Sequence, residues 1–328
     1  MDRRWIADQG RVYHELMRVL VVGGTGLIGW HAARELVRRG HRVTAMARRP
    51  PPSGSLPSGV DLCIADMTAV DQETLGGFDG LVHAAGTDYR NLAPRPALDH
   101  YRRINVDASA RLFAAARRSG ARRAVFVTTY YHAVRPELAR AHPYVASRAE
   151  SEPAALAAAG SDLELAVVQP PYVLGAVPGR AAIGPMIARY VRSRAPLFAP
   201  AGGTNWITVT ALAEAIAGAL ERGRAGARYL VGDENIAWAE LLHRFARAAG
   251  LAREVRVVPR LALRAAAGSV ALAARVAGKE AGVRPRAWID VLCDRLYFDQ
   301  PAASAELGHR RGDIDQVIRD VLAFAGRN

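Results

Sequence analysis

Three glycines at three-residue spacing mark the first place where the chain can do chemistry. Gly23, Gly26 and Gly29 follow the apolar run Val19–Val22 and precede a helix-forming stretch. Glycines in a strand–turn–helix unit permit a tight turn, close approach of the backbone to a pyrophosphate, and close helix–strand packing. The helix also directs unpaired N–H groups and its positive dipole end at the phosphates. This context predicts a dinucleotide-binding turn, whose contacts are expected from Gly23, Thr25, Gly26, Leu27, Ile28 and Gly29.

The end of the second apolar run indicates which dinucleotide is bound. Proteins that use NAD usually place a carboxylate there to accept hydrogen bonds from the ribose 2′-hydroxyl. This chain has Ala47-Arg48-Arg49-Pro50 instead. The guanidinium of Arg48 can form charge-assisted hydrogen bonds with a 2′-phosphate, which predicts NADP(H) in preference to NAD(H). The alternative is that both arginines are solvated surface residues.

Two further segments are expected to contact the cofactor. Asp66 and Met67 follow the third apolar run, where an aspartate side chain can meet the adenine amino group. The small residues Ala84, Ala85 and Gly86 follow the fourth run, where they allow the backbone to approach the cofactor closely. Beside them, His83 is expected to be a core histidine rather than a functional one.

The elements that must position these residues alternate along the chain. Short apolar runs alternate with amphipathic stretches of helical length, which is typical of a parallel sheet covered on both faces. The predicted strands are Arg18–Val22, Arg42–Ala47, Val60–Ala65, Gly80–Ala84, Arg122–Thr128 and Leu163–Gln169. The predicted helices are Leu27–Arg39, Pro96–Ser119 and Tyr144–Ala159. Two later stretches, Trp206–Leu220 and Arg228–Val231, are candidates for returning to the sheet.

The fold class expected from this pattern is α/β, with a Rossmann-type doubly wound parallel sheet and a smaller, mostly helical C-terminal lobe. Residues 17–170 are expected to form the nucleotide-binding domain. Residues 171–328 are expected to form a substrate-binding lobe interleaved with the end of the sheet. Residues 1–16 lack the apolar core of a secretory signal and are expected to be a disordered leader or the product of a misassigned start codon.

Composition excludes several classes of function for this chain of 328 residues. The formal charge is +13, but arginines are scattered through helices without a basic block, which argues against nucleic-acid binding. No uncharged apolar run is long enough to span a membrane. Cys63 and Cys293 form no metal-binding spacing and suit a reducing cytoplasm, so neither a disulfide framework nor a metal site is expected.

These residues together resemble the extended short-chain dehydrogenase/reductases, in their NAD-dependent epimerase/dehydratase and dihydroflavonol-reductase-like branch. The resemblance covers nearly the whole chain from Met17. Besides the segments already named, its marks are Asn105-Val106, Thr128-Thr129, Tyr144-Val145-Ala146-Ser147-Arg148, Gln169-Pro170-Pro171-Tyr172-Val173-Leu174-Gly175, Phe298-Asp299 and Ala305-Glu306-Leu307-Gly308. It implies that Asn105 and Pro170 also lie at the cofactor.

The resemblance implies that Tyr144 is the catalytic acid/base and that Thr129 or Thr128 orients the substrate carbonyl. A phenol has a pKa near 10 and needs a nearby cation to act near neutrality. Position 148, four residues on, shares the helix face of Tyr144, but it is Arg148 where the family has lysine. Arginine supplies charge and hydrogen bonds to ribose hydroxyls, yet it effectively never releases its proton.

The loop after the fifth predicted strand departs from the family as well. Tyr130 stands where many relatives have the catalytic serine. Tyr130, Tyr131 and His132 are therefore candidates for replacement acid/base groups, and the alternative is that they pack against the substrate lobe.

Three functions are compatible with these residues. The first is an NADP-dependent oxidoreductase that reduces or oxidises a carbonyl or alcohol of a small molecule. The second is an epimerase, dehydratase or other non-redox enzyme that retains NAD(P) and acts on a sugar nucleotide or a specialised metabolite. The third is a non-catalytic NADP-binding protein. The first is preferred, in a bacterial cytoplasm, and a homodimer is left open by the resemblance.

Overall fold

The computed structural model describes residues 16–90, 92–179, 182–276, 279–299 and 301–326. The strands are β1 (Arg18–Val22), β2 (Arg42–Ala47), β3 (Val60–Ile64), β4 (Gly80–His83), β5 (Leu92–Pro94), β6 (Arg123–Val127), β7 (Glu164–Gln169), β8 (Tyr172–Leu174), β9 (Leu197–Ala199), β10 (Gly203–Thr208), β11 (Arg228–Leu230), β12 (Glu234–Ala237), β13 (Val255–Val257), β14 (Lys279–Ala281) and β15 (Arg295–Leu296). The helices are α1 (Leu27–Arg38), α2 (Ala97–Tyr101), α3 (Ala108–Arg118), α4 (Tyr131–Val134), α5 (Leu138–Ala141), α6 (Pro143–Ala159), α7 (Ile183–Arg192), α8 (Val209–Arg222), α9 (Trp238–Ala248), α10 (Arg260–Val276), α11 (Pro285–Cys293), α12 (Pro301–Leu307) and α13 (Ile314–Ala325).

Seven parallel strands form the central sheet, in the order β11-β7-β6-β4-β1-β2-β3. The predicted α/β class with a Rossmann-type sheet is therefore confirmed. In register, Val22 at the end of β1 lies beside Met46 of β2 and His83 of β4. The turns that follow these three strands consequently meet at one edge of the sheet, where open α/β sheets bind their ligands.

Side chains of β1 alternate between the two faces of the sheet, and both faces are covered by helices. Val19 and Val21 belong to a core cluster that includes residues of α1 and α8. Leu20 and Val22 belong to the opposite cluster, which includes residues of α3 and α6. Successive strand residues point to opposite faces, so an uninterrupted apolar run fits a strand buried on both sides.

The predicted strands agree with the structure to within one residue at each end. The long helix predicted for Pro96–Ser119 is different, because the π-helical segment Arg102–Asp107 separates α2 from α3. A π-helical turn contains an additional residue and is frequent at functional sites. This turn holds Asn105 fully buried.

The second half of the chain contributes less to the sheet than expected. Arg228–Leu230 does join it, as β11 beside β7. The expectation for Trp206–Leu220 is wrong, because Gly203–Thr208 enters a second sheet with β8, β12 and β15, and the following residues form α8. Helix α8 is buried around most of its circumference, so its apolar residues show no clear helical face in the sequence.

None of the described helices combines the length and apolar character needed to cross a bilayer. The predicted leader falls almost entirely on residues outside the described ranges.

Candidate functional site

The glycine turn is built so that two of its glycines cannot be replaced without displacing backbone. Gly23 has φ of +83°, and a Cβ there would lie 3.0 Å from the Ala85 nitrogen. A Cβ on Gly29 would overlap the carbonyl oxygen of Gly23. The turn is anchored to β2, since Gly23 N–H donates to the Met46 carbonyl at 3.0 Å. The turn thus brings bare backbone to the edge of the sheet.

Helix α1 starts from this turn without a side-chain cap. Gly26 is its N-cap residue and has no side chain that could accept a hydrogen bond from the first turn. Leu27 and Ile28 begin the helix, and Thr25 precedes it, nearly buried. Uncapped N–H groups at a helix start suit the oxygens of a pyrophosphate.

Positive charge lies at the end of β2, as the sequence predicts. Arg48 and Arg49 are both exposed.

The carboxylate of Asp66 after β3 is held by Thr68. Two hydrogen bonds from Thr68, one from its N–H and one from its hydroxyl, reach Oδ1 of Asp66 at 2.9 Å each. These bonds, with a smaller contribution from the charge of Arg48, lower the pKa of Asp66. Met67 beside it is buried.

A cavity of about 180 Å³ lies between the glycine turn and the loop after β2. Its lining residues are Thr25, Trp30, Arg49, Pro50, Pro51, Pro52, Ser55, Leu56, Pro178 and Gly179. The sequence interpretation placed Arg48 but not Arg49 at the cofactor. The second arginine of an Arg-Arg-Pro sequence was visible, but its direction depends on how the proline-rich loop folds back onto α1. Trp30 fixes that loop by donating from its indole nitrogen to the Ser55 carbonyl at 2.7 Å.

Small residues after β4 allow neighbouring side chains and backbone to approach closely. A Cβ on Gly86 would lie 2.7 Å from Nη2 of Arg148 and 3.0 Å from Oδ1 of Asn105. Ala84 and Ala85 stand against Gly23. His83, by contrast, is fully buried and its Nε2 lies 2.8 Å from the Ser109 hydroxyl. Burial, with the charge of Arg148, lowers the pKa of His83 to about 3, so it is neutral and belongs to the core.

Arg148 is buried with part of its hydrogen-bonding capacity unused. Its side chain comes from α6, the residue is 8% exposed, and its guanidinium carbon lies 5.7 Å from the centre of the Tyr144 ring. Within the described ranges, neither Nε nor Nη1 has a hydrogen-bond partner. A buried charge with unpaired nitrogens is costly, and such groups are uncommon outside functional sites. The residues present here fit a ribose and nicotinamide.

Asn105 braces the same region from the π-helical turn. Its Nδ2 donates to the Thr87 carbonyl at 3.2 Å and to the Ser147 hydroxyl at 3.0 Å, and its Oδ1 accepts from Thr87 N–H at 3.0 Å. Ser147 in turn donates to the Tyr144 carbonyl at 2.8 Å. Asn105 therefore links the loop after β4 to the helix that carries Tyr144 and Arg148.

Tyr144 lies at the start of α6, where a backbone hydrogen bond and contacts of its ring hold it in position. Its N–H donates to the Gly282 carbonyl at 2.8 Å. Its ring meets Tyr89 and Tyr101 edge to face, with centroids 5.7 and 6.1 Å apart. The phenol thus lies between the Arg148 charge and a group of aromatic side chains.

The three residues after β6 have different surroundings. Thr128 donates its hydroxyl hydrogen to Oε1 of Glu152 at 2.7 Å. Tyr130 is buried, its hydroxyl lies 2.6 Å from that of Thr204, and its N–H donates to the Pro170 carbonyl at 3.1 Å. Burial raises the pKa of Tyr130, so it stays protonated. Thr129 is buried between them, and of the two threonines it is the one whose hydroxyl is not used by Glu152.

A buried carboxylate, which sequence reasoning missed, organises the back of the site. Glu152 Oε1 lies 2.9 Å from His132 Nε2 and accepts from Gln169 Nε2 at 2.9 Å, while Oε2 accepts from Arg228 Nε at 2.9 Å. His132 is therefore engaged with Glu152, and Tyr131 is buried among aromatic rings. The available signal was spacing, since Glu152 follows Tyr144 and Arg148 at four-residue intervals on one helix face.

The structure thus joins the glycine turn, the segment after β4, Asn105, Arg148 and Tyr144 through successive close contacts. Arg48 and Asp66 lie beyond the ends of β2 and β3. The roles predicted for these residues stay predictions, because geometry alone does not assign them.

Comparison with known proteins agrees with this geometry. Residues 19–232 match the model of the NAD dependent epimerase/dehydratase family. An uncharacterized protein of Mycobacterium tuberculosis is 34% identical over 116 residues, which are 34% of this chain but only 12% of that longer protein. A 4-hydroxy-2-methyl-3-oxo-4-farnesyl-3,4-dihydroquinoline-1-oxide ketoreductase of Stigmatella aurantiaca is 29% identical over 274 residues, 76% of this chain and 79% of that protein.

The crystal structure of gox2253 superposes with a TM-score of 0.75 at 25% identity, covering 94% of this chain and 98% of that one. The resemblance drawn from the motifs is therefore confirmed. The chain belongs to the NAD-dependent epimerase/dehydratase family.

Proposed function

We propose that this protein is an NADP(H)-dependent oxidoreductase that interconverts a ketone and an alcohol on a small, largely apolar molecule. The observation that carries the proposal is the buried Arg148 guanidinium, which lies between the Tyr144 ring and Gly86 with two nitrogens unpaired. A cation in this place serves both a tyrosine acid and the hydroxyls of a cofactor ribose.

The nicotinamide, when bound, supplies or accepts the hydride. Tyr144 donates a proton to the carbonyl oxygen during reduction, and the positive charge of Arg148 stabilises the phenolate that remains. The hydroxyl of Thr129 orients the carbonyl, because that of Thr128 is committed to Glu152. Arg148 cannot release its own proton, so Tyr144 is reprotonated from solvent.

Cofactor preference follows from charge near the predicted ribose 2′ position. Arg48 and Arg49 both follow β2, and Arg49 lines the cavity beside Thr25. A 2′-phosphate between them gains charge-assisted hydrogen bonds that a 2′-hydroxyl does not offer. This favours NADP(H) over NAD(H).

The surroundings of Tyr144 favour an apolar substrate over a sugar nucleotide. The Tyr144 ring contacts other aromatic rings, and these contact further aromatic rings in turn. The residues of this group are Tyr89, Tyr101, Tyr131, Tyr172 and Trp288. Aromatic side chains bury large apolar areas and bind apolar frames. The Stigmatella relative is a ketoreductase of a farnesylated quinoline by its name, which agrees with both the reaction and the class of substrate.

The test measures NADPH oxidation by absorbance with a panel of aryl and alkyl ketones and aldehydes, alongside the Tyr144→Phe variant. We expect turnover by the wild type and a loss of at least about 100-fold in kcat for the variant, which is the usual contribution of a positioned acid. Turnover unaffected by Tyr144→Phe would refute the mechanism. A product formed with no net change in NADPH would replace it with epimerase or dehydratase chemistry.

A further inference from the structure

Two tyrosine hydroxyls meet close to Tyr144, and neither has a role in the proposed mechanism. Tyr89 lies in the loop after β4, and Tyr172 lies in β8. Their hydroxyl oxygens are 3.1 Å apart. Both residues remain partly exposed although aromatic rings surround them.

Position connects this phenol pair to the reacting group. The ring of Tyr89 meets that of Tyr144 edge to face at 5.7 Å, and it meets Trp288 at 5.2 Å on another side. The ring of Tyr172 lies 6.4 Å from that of Tyr131. A molecule held at the Tyr144 hydroxyl therefore has the phenol pair as a neighbour.

Counting protons shows that the pair has one donor to spare. Two hydroxyls carry two hydrogens, and the bond between them uses one. Burial raises the pKa of both Tyr89 and Tyr172, so both stay protonated and neutral at physiological pH.

A neutral O–H donor in an aromatic environment recognises a particular kind of group. It satisfies an oxygen acceptor such as a hydroxyl, a carbonyl or an ether, and the adjoining phenol oxygen can accept a hydrogen from that group in return. A substrate that lacks the oxygen leaves the spare donor buried without a partner, which costs binding free energy.

We propose that the phenol pair Tyr89–Tyr172 binds a second oxygen of the substrate, so that the protein acts on oxygenated ketones, which carry a hydroxyl or second carbonyl near the reacting carbonyl. The proposal rests on the proposed function, because it takes Tyr144 as the acid at the reacting carbonyl. It makes Tyr89 and Tyr172 the residues that determine specificity.

The experiment compares two ketones that differ only in the second oxygen, 2-hydroxyacetophenone and acetophenone. The readout is the ratio of their kcat/KM values in the wild type, in Tyr89→Phe and in Tyr172→Phe. Each variant removes one hydroxyl and keeps the ring. We expect the ratio to fall about tenfold in both variants, with the loss in KM for the hydroxyketone and little change in kcat.

Tyr190→Phe is the matched control. Its hydroxyl also makes a hydrogen bond, to the Pro196 carbonyl at 2.9 Å, and we expect the ratio to be unchanged. A ratio that stays at its wild-type value in both Tyr89→Phe and Tyr172→Phe would overturn the proposal.

A binding measurement separates this proposal from the proposed function. Calorimetry with NADP⁺-saturated protein gives the affinity for 2-hydroxyacetophenone without reduction of its ketone, because the oxidised cofactor has no hydride to supply. Binding that weakens about tenfold in Tyr89→Phe, without reduction of any ketone or aldehyde of the panel by the wild type, would support the phenol pair and refute the oxidoreductase. Equal affinity in the wild type and both variants, or no binding at all, would overturn the phenol-pair proposal.

Discussion

The guanidinium carbon of Arg148 lies 5.7 Å from the centre of the Tyr144 ring, and two nitrogens of that guanidinium have no partner among the described residues. The family pattern that the sequence resembles has a lysine at this position, and a lysine both stabilises the phenolate and releases a proton. Arginine retains the first property and lacks the second. In this protein the residue that stabilises the phenolate therefore cannot also supply the proton.

Substitutions at Arg148 test that separation. Arg148→Met removes the charge, and we expect kcat/KM to fall at least about 100-fold because the phenol then has no nearby cation. Arg148→Lys keeps the charge near neutrality and adds a proton that can leave, so we expect activity to be retained at neutral pH but to fall at alkaline pH, where lysine loses its charge and arginine does not. Profiles of kcat against pH measure both effects.

Arg140→Met serves as the control, since Arg140 is exposed on α5. Its activity and pH profile should match the wild type. A wild-type profile for Arg148→Met would show that the guanidinium has no part in the reaction.

Cofactor preference depends on Arg48 and Arg49, which follow β2. Arg48→Ala and Arg49→Ala should each weaken NADPH binding about 10- to 100-fold, the range for a lost charge-assisted hydrogen bond. NADH binding should change little, because its ribose carries no 2′-phosphate. Dissociation constants from fluorescence titration with both cofactors distinguish these effects.

Arg42, exposed at the opposite end of β2, supplies the matched variant. Arg42→Ala should leave both dissociation constants unchanged. If all three substitutions weakened NADPH binding equally, the overall charge of the protein, rather than a phosphate site, would explain the preference for NADPH.

The glycine turn can be tested with two glycines of similar conformation. Gly23 has φ of +83° and Gly120 has φ of +86°, but a Cβ meets the Ala84–Ala85 backbone only at Gly23. Both alanine variants should lose about 1 kcal/mol of stability to the left-handed backbone. Gly23→Ala should also weaken NADP(H) binding more than tenfold, because its Cβ displaces the turn or the segment after β4.

Calorimetric titration with NADP⁺ and urea unfolding of both variants give these values. Equal cofactor affinity for Gly23→Ala and Gly120→Ala would mean that the turn does not bind the pyrophosphate.

Local chemistry made most of the nucleotide-binding half predictable. Glycine spacing, an apolar strand and the sequence after it specify β1, α1 and their turn through contacts close in the chain. Tyr144 and Arg148 could be paired from helix periodicity alone. The absence of a carboxylate after β2 could also be interpreted as a preference for NADP(H), because the end of the second strand lies at the cofactor ribose in this type of sheet.

Interactions between distant segments were not predictable in the same way. Tyr89 and Tyr172 are 83 residues apart, and their hydroxyls meet through the tertiary position of β8, which pairs with β10. Arg228 reaches Glu152 through the position of β11 beside β7. Helix α8 was misread because burial on most sides removes the periodicity that marks a helix.

Glu152 couples the stability of the site to pH. Burial alone would raise the pKa of its carboxyl, but hydrogen bonds from His132, Gln169 and Thr128 outweigh burial and hold the pKa below the usual value. A carboxyl with a depressed folded-state pKa stabilises the protein above its unfolded pKa, about 4.3. That stabilisation is lost as the pH falls through the folded-state value.

Glu152→Gln should therefore reduce the free energy of unfolding by about 2 kcal/mol at pH 7, because the amide cannot replace a carboxylate toward His132 and Arg228. The difference from the wild type should narrow as the pH falls below about 4. Glu150→Gln is the control on the same helix. Its exposed carboxylate pairs with exposed Arg102, and the variant should lose less than about 1 kcal/mol. Urea unfolding at pH 7, 5, 4 and 3 measures all three proteins, and a difference for Glu152→Gln that stays constant over this range would show that the carboxylate's charge does not stabilise the site.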